Sequence, residues 1–299
     1  MRQQADVSTA ARPARPLVLL LTVAAMLAFA GNSLLCRLAF QHTSIDAAAF
    51  TTLRLVSGAA VLWTLVRLRD KRSDVAGSWW SALALFVYAA TFSFAYLSLT
   101  VATGALLLFG AVQVTMIGYG LYVGERFSRI QLVGLLLACT GLVYLLTPGL
   151  SAPPLVGAAL MIAAGAAWGV YTLRGKAAGD PTQATAGNFV RSVPFALALS
   201  LLMLDRASLD AAGVAYAMIS GALTSGLGYA VWYTAIRELK ATSAATVQLS
   251  VPVITAFGGV ALLGEAITLR LVLASGAILG GVALVIMSRS SAASTKKGN

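Results

Sequence analysis

Ten apolar runs, each about 20 residues long, follow one another with short polar breaks between them. They cover residues 17–40, 47–67, 78–99, 102–123, 130–147, 153–174, 185–204, 211–234, 242–263 and 270–287. A helix of about 20 residues rises roughly 30 Å, the thickness of a bilayer's hydrocarbon core. Inside that core every backbone N–H and C=O must find its partner within the protein, and a run of this length does so as a helix. Charged residues are 10% of the 299 residues and hydrophobic ones 59%. Soluble domains carry about 25% charged residues, so this chain cannot coat a globular surface with polar groups. The first run has the basic flank and Ala28-Phe-Ala30 of a signal peptide. Its apolar residues continue to Phe40, longer than the cleaved kind needs, so it reads as a retained first helix. The fold class expected is an all-α membrane protein of ten transmembrane helices.

The basic residues orient it. With residues 1–16 placed in the cytoplasm as a polar tail, sixteen of the 21 Lys and Arg fall in cytoplasmic segments, among them Arg12, Arg15, Arg67, Arg126, Arg174 and Arg237. Only Arg37, Arg206 and Arg270 fall on the other side, while Arg54 and Arg191 lie within helices. Cytoplasmic loops carry such an excess, which puts both termini inside, with 288–299 as a second tail. The net charge of +11 is therefore a signal of topology and not of nucleic-acid binding. The partners indicated are the lipid bilayer and a small molecule; nothing points to a protein partner.

The first five runs (17–147) and the last five (153–287) echo each other. Gly124-Glu125 matches Gly264-Glu265, Gly141 matches Gly281, Arg54 matches Arg191, and Tyr96 matches Tyr233. Five is odd, so the second half enters the membrane from the opposite face and the repeat is inverted. Inverted halves are the framework on which many secondary transporters alternate access about a midplane site.

These features resemble the drug/metabolite transporter superfamily in its ten-helix form with two EamA-type repeats. The likeness spans residues 17–287 and rests on Arg54, Gly124-Glu125, Gly134 and Gly141. In the second half it rests on Arg191, Pro252, Gly264-Glu265, Gly276, Gly280 and Gly281. Two positions depart from the pattern: Gln113 stands near where the family carries a proline, and Val170 stands where helix 1 has Asn32. Within the superfamily the chain is most similar to exporters of aromatic and other neutral amino acids. The resemblance implies a secondary transporter of the bacterial inner membrane, exporting such amino acids or similar metabolites by alternating access. A drug or another metabolite is the alternative cargo.

The side chains narrow the chemistry. One histidine, His42, and two cysteines that fall inside apolar runs, Cys36 and Cys139, offer no metal cluster, no catalytic pair and no cofactor site, so no enzyme is expected. None of the ten Asp and Glu falls mid-membrane, which removes the usual proton relay and cation site. Arg54 and Arg191 have two readings. Either one could hold a substrate carboxylate through paired hydrogen bonds, or each caps carbonyls as an architectural contact. Asn32, Gln113 and Gln248 are polar candidates for the substrate. Tyr88 and Phe92 recur one turn apart on one helix, with Tyr96 beyond them, and Trp168 shares a face with Tyr171. Lining a cavity, Tyr88, Phe92, Trp168 and Tyr171 would suit an aromatic or apolar cargo. Tyr229, Trp232 and Tyr233 share a face and could join that lining, while the competing reading is an interfacial belt, for Trp79 and Trp80 beside a loop and for Trp232 with Tyr233. Pro252 should break its helix and is the candidate hinge.

Overall fold

The structure, a computed structural model, describes residues 15–69, 76–124, 128–147, 149, 152–175, 180–236 and 247–295. Residues 1–14, Glu125, Arg126, Arg237 and Lys240 lie outside the described residues.

The described helices are α1 (Arg15–His42), α2 (Ala47–Arg69), α3 (Trp79–Tyr96), α4 (Val101–Tyr122), α5 (Arg129–Leu146), α6 (Leu155–Gly175), α7 (Pro181–Leu202), α8 (Ala211–Ile219), α9 (Gly228–Ile236), α10 (Ser250–Leu263) and α11 (Leu269–Thr295). A π-helical stretch, Ser220–Leu227, joins α8 to α9 in a single span, Ala211–Ala235. Among the described residues, eight helices are long and apolar enough to cross a membrane, and Ser250–Leu263 and Leu269–Leu284 are shorter apolar helices. No strand occurs among the described residues.

Local chemistry sets the helix ends. Ser78, Thr100 and Ser128 accept backbone N–H bonds as N-caps of α3, α4 and α5, and Gln131 completes a capping box at α5. Such caps satisfy donors that the first turn leaves orphaned. Asp180 caps α7, with Pro181 at its first position, so this helix starts before the apolar run at 185. Proline suits that position because its missing N–H would have been unpaired there anyway. At the other end of a helix, Gly264 has φ +63° and closes α10, while the Glu265 N–H returns to the Gly259 carbonyl at 3.1 Å. That closure needs a left-handed residue, which is why glycine precedes the glutamate. Pro252 sits in the first turn of α10, just after an interruption at Leu249.

Packing follows the small residues. The backbones of α5 and α11 touch where Gly281 meets the Gly134 carbonyl, and Gly141 lies against Ala277 and Ile278. Gly141 and Gly281, matched between the two halves, thus lie on one crossing, each against the opposite helix. The other principal contacts are α2 with α7, α3 and α4 with α6, α1 with the α8–α9 span and with α10, α2 with the α8–α9 span, and α3 with α7. Exchanging the first five spans for the second five maps this set onto itself. Leucines such as Leu19, Leu136 and Leu201 cover the outside, while the large buried side chains (Phe50, Tyr96, Tyr171, Phe189) gather at the centre.

Candidate functional site

Five helices meet around a central cavity. Phe29, Asn32 and Ser33 come from α1, Tyr88 and Phe92 from α3, Leu108 and Phe109 from α4, Trp168 from α6, and Tyr229 from α9. Six of these nine are aromatic. Phe29 stands edge-on to Trp168, Tyr229 and Trp232, with centroids 5.7–6.4 Å apart, and Trp168 contacts Tyr88 and Tyr229, both at 4.9 Å. The cavity is small, at about 20 Å³, roughly the room one water needs.

One wall is polar. The Asn32 amide donates to the Tyr88 hydroxyl at 3.2 Å, and its carbonyl accepts from Ser220 at 2.7 Å and Thr224 at 3.3 Å. Behind Tyr88 lies Arg54 on α2, with 1% of its surface exposed. Its Nη2 donates to the Tyr88 hydroxyl at 3.0 Å and its Nε to the Ser225 hydroxyl at 3.2 Å. The guanidinium also lies 4.9 Å from the Phe92 ring centre and 5.2 Å from that of Tyr88, within the range of a cation–π contact.

The π-helical stretch brings this network together. Gly221 lies directly against the Arg54 carbonyl and the Ser57 hydroxyl, an approach that a Cβ would block. Ser220, Thr224 and Ser225 then reach Asn32 and Arg54 from the same short segment. Single π-helical turns within α-helices recur at functional sites.

Clasps hold α3 at both ends. At its C-terminus Arg37 Nη1 donates to the Tyr96 carbonyl at 2.9 Å and Arg37 Nε to Glu265 at 3.4 Å. The second Glu265 oxygen accepts the Val101 N–H at 2.8 Å, a carboxylate seated at the start of α4, where the helix dipole favours it. At the N-terminus of α3, Asn188 accepts the Ser78 N–H at 2.9 Å, and Arg174 donates to Ser81 at 3.1 Å. Arg191 belongs to this second clasp, its Nη1 donating to the carbonyls of Ala76 and Gly187 at 3.0 and 3.1 Å.

The two membrane arginines are therefore unlike. Arg191 caps carbonyls, whereas Arg54 stands behind Tyr88 and the cavity's polar wall. Asn32, Tyr88, Phe92 and Trp168 come together in the lining, and Tyr171 backs Trp168 with ring centres 5.5 Å apart. Gln113 is buried one turn beyond Phe109 on α4, and Gln248 precedes α10; neither lines the cavity. Pro252 borders a different, apolar groove between α4, α10 and α11. Trp232 is not an interfacial belt residue: it is 4% exposed and packs on Phe29, because α9 turns that face inward toward α1. The sequence does not single out Phe29, Ser33, Leu108 or Phe109, which look like ordinary apolar-run residues. The cluster Ser220, Thr224, Ser225 within an otherwise apolar span is a signal that could have marked the polar wall.

Comparison with known proteins agrees with this architecture. Residues 155–287 match the EamA-like transporter family. An uncharacterised protein of Pseudomonas aeruginosa is 57% identical over 272 residues, covering 91% of this chain and 95% of that one. The chain belongs to the EamA-like transporter family. An uncharacterised transporter of Archaeoglobus fulgidus is 29% identical over 251 residues, 79% of this EamA-type chain and 86% of its own. The threonine/homoserine exporter RhtA of Escherichia coli is 29% identical over 155 residues, 50% of this chain and 52% of RhtA. A solved crystal structure shares the fold, with a TM-score of 0.62 at 17% identity, covering 92% of this chain and 98% of that one. The protein is a multi-pass membrane transporter.

Proposed function

We propose that this transporter exports neutral amino acids, aromatic ones above all, or similar metabolites from a bacterial cytoplasm by alternating access at the central cavity. The observation that carries the reading is the cavity itself: six aromatic side chains facing one hydrogen-bonding wall, at the meeting point of helices from both halves. Such a chamber suits a molecule with one apolar body and one polar end. The similarity to RhtA supports an amino-acid-type cargo.

The self-matching contact pattern supports two inverted repeats, 17–147 and 153–287, and the charge bias supports cytoplasmic termini. On that topology the Arg37–Glu265 clasp faces outward and the Asn188–Arg174–Arg191 clasp faces inward. A cavity of one water's volume cannot hold an amino acid, so on this reading it must widen to load cargo. Release of one clasp at a time would swing α3 and admit cargo from one side only, with Pro252 as a place where α10 can bend.

Efflux of a panel of labelled neutral amino acids from liposomes carrying the pure protein tests this. Aromatic members are expected to leave fastest. No amino acid moving faster than from protein-free liposomes would sink the proposal.

A further inference from the structure

Arg54 is, among the described residues, a cation without a counter-ion. Among the described residues the ion pairs are Arg37–Glu265 and Arg206–Asp205, and the groups around Arg54 are neutral: Tyr88, Phe92 and Ser225. Arginine does not deprotonate in proteins, so the charge persists at 1% exposure. One of its nitrogens, Nη1, is buried with no hydrogen-bond partner. An intramembrane charge left uncompensated is costly, and its position is a pointer to function.

Tyr88 carries that charge to the cavity. Its hydroxyl accepts from Arg54 Nη2 and from Asn32 Nδ2, which occupies both lone pairs. Asn32 is held in that orientation because its carbonyl receives Ser220 and Thr224. The Tyr88 O–H therefore remains as a donor, polarised by the guanidinium behind it. Tyr88 itself lines the cavity, so that donor belongs to the cavity wall. The lining offers no carboxylate to receive an ammonium, and the Arg54 field opposes one.

We propose that the cavity selects its cargo by a carboxylate on an apolar or aromatic body, received by Tyr88 with Arg54 supplying the charge, and that an ammonium group on the cargo is dispensable. This rests on the reading of the cavity as the transport site. The substrate class widens accordingly, from amino acids to monocarboxylates of the same skeleton. Tyr88 becomes the specificity-determining contact and Arg54 the residue that acts through it.

Three probes with one skeleton separate the possibilities in the full-length protein in detergent at pH 7: phenylalanine, 3-phenylpropionate without the ammonium, and 2-phenylethylamine without the carboxylate. Thermal stabilisation against probe concentration gives each apparent affinity. The acid should act at a concentration about ten-fold or more below the amine, the range for a charge-assisted hydrogen bond. Tyr88→Phe and Arg54→Gln should erase that preference and Arg54→Lys retain part of it; if the variants do not fold, the wild-type ranking decides alone. Equal or tighter binding of the amine overturns the inference and leaves the cavity as the transport site. A preference for the acid that survives Arg54→Gln in a folded variant overturns the role of Arg54. Failure of all three probes to bind, with no amino acid transported, overturns the transport reading and the inference with it.

Discussion

Three glycine pairs spaced four apart, Gly120–Gly124, Gly165–Gly169 and Gly276–Gly280, look equivalent on paper, and the structure predicts that alanine will tell them apart. A Cβ on Gly165 would stand 2.5 Å from the Leu108 carbonyl oxygen and 2.6 Å from the Ala111 Cβ. Comfortable contact begins at 3.4 Å, so α6 would have to retreat from α4 by about the 0.9 Å difference. The obstacle is backbone, which cannot rotate aside. Overpacking of this kind costs about 1–3 kcal/mol. Gly276 and Gly280, by contrast, have nothing within 4 Å of the added atom, and alanine is the better helix former by about 0.8–1.0 kcal/mol. Gly165→Ala should therefore lower the thermal midpoint by several degrees, at roughly 2–4 °C per kcal/mol, while Gly276→Ala leaves it unchanged or raises it. Heating each purified variant in the same detergent and following the folded fraction by size-exclusion chromatography measures both. Because α4 and α6 supply Phe109 and Trp168 to the cavity, Gly165→Ala should also slow transport. Equal midpoints for the two variants would refute the assignment of one pair to a helix crossing and the other to an open face.

Other residues make sharper chemical tests. Trp168→Ala removes a ring that contacts Phe29, Tyr88, Tyr171 and Tyr229. Export of aromatic cargo should fall more than that of small cargo, by about 0.5–1.5 kcal/mol per lost ring contact with the substrate; equal losses would make Trp168 a packing residue only. Glu265→Gln and Arg37→Ala should each destabilise the protein by about 1–2 kcal/mol, and the double variant should cost less than their sum, since the two act as one clasp. Additive losses in a thermal double-mutant cycle would contradict that. Backbone N–H groups of Ser44 and Gly213 hold the Asp210 carboxyl below its ordinary 3.8. A group whose folded value is lowered stabilises the fold above the unfolded value and loses that contribution as pH falls through the folded one. Asp210→Asn should thus melt lower than wild type at neutral pH, with the gap closing below about pH 4; a gap that persists in acid would rule the carboxylate out as the cause.

Much of this protein is determined by sequence alone, because a bilayer leaves few choices. Runs of about 20 apolar residues must be helices, and their order, the matched glycines and the Gly-Glu pairs are written linearly. The helix-closing role of Gly264 and Glu265 is likewise local, set by a left-handed turn and its returning N–H. Half of the cavity was legible too: Tyr88 and Phe92 are one turn apart on one face, and Trp168, Asn32 and Arg54 are conspicuous in apolar surroundings. Tertiary packing settles which of two similar residues has which surroundings. Arg54 and Arg191 hold matching places in their helices, yet one meets tyrosine and serine hydroxyls beside a cavity and the other meets carbonyls at a helix end. Phe29 and Phe109 are indistinguishable from lipid-facing phenylalanines until α1 and α4 converge. Trp232 reads as a belt residue until α9 turns it toward α1. Hydrophobicity draws no line between facing lipid and facing a neighbouring helix, since both are equally apolar. Only packing, fixed by small residues such as Gly165 and Gly221 where backbones touch, rotates each helix to its final face.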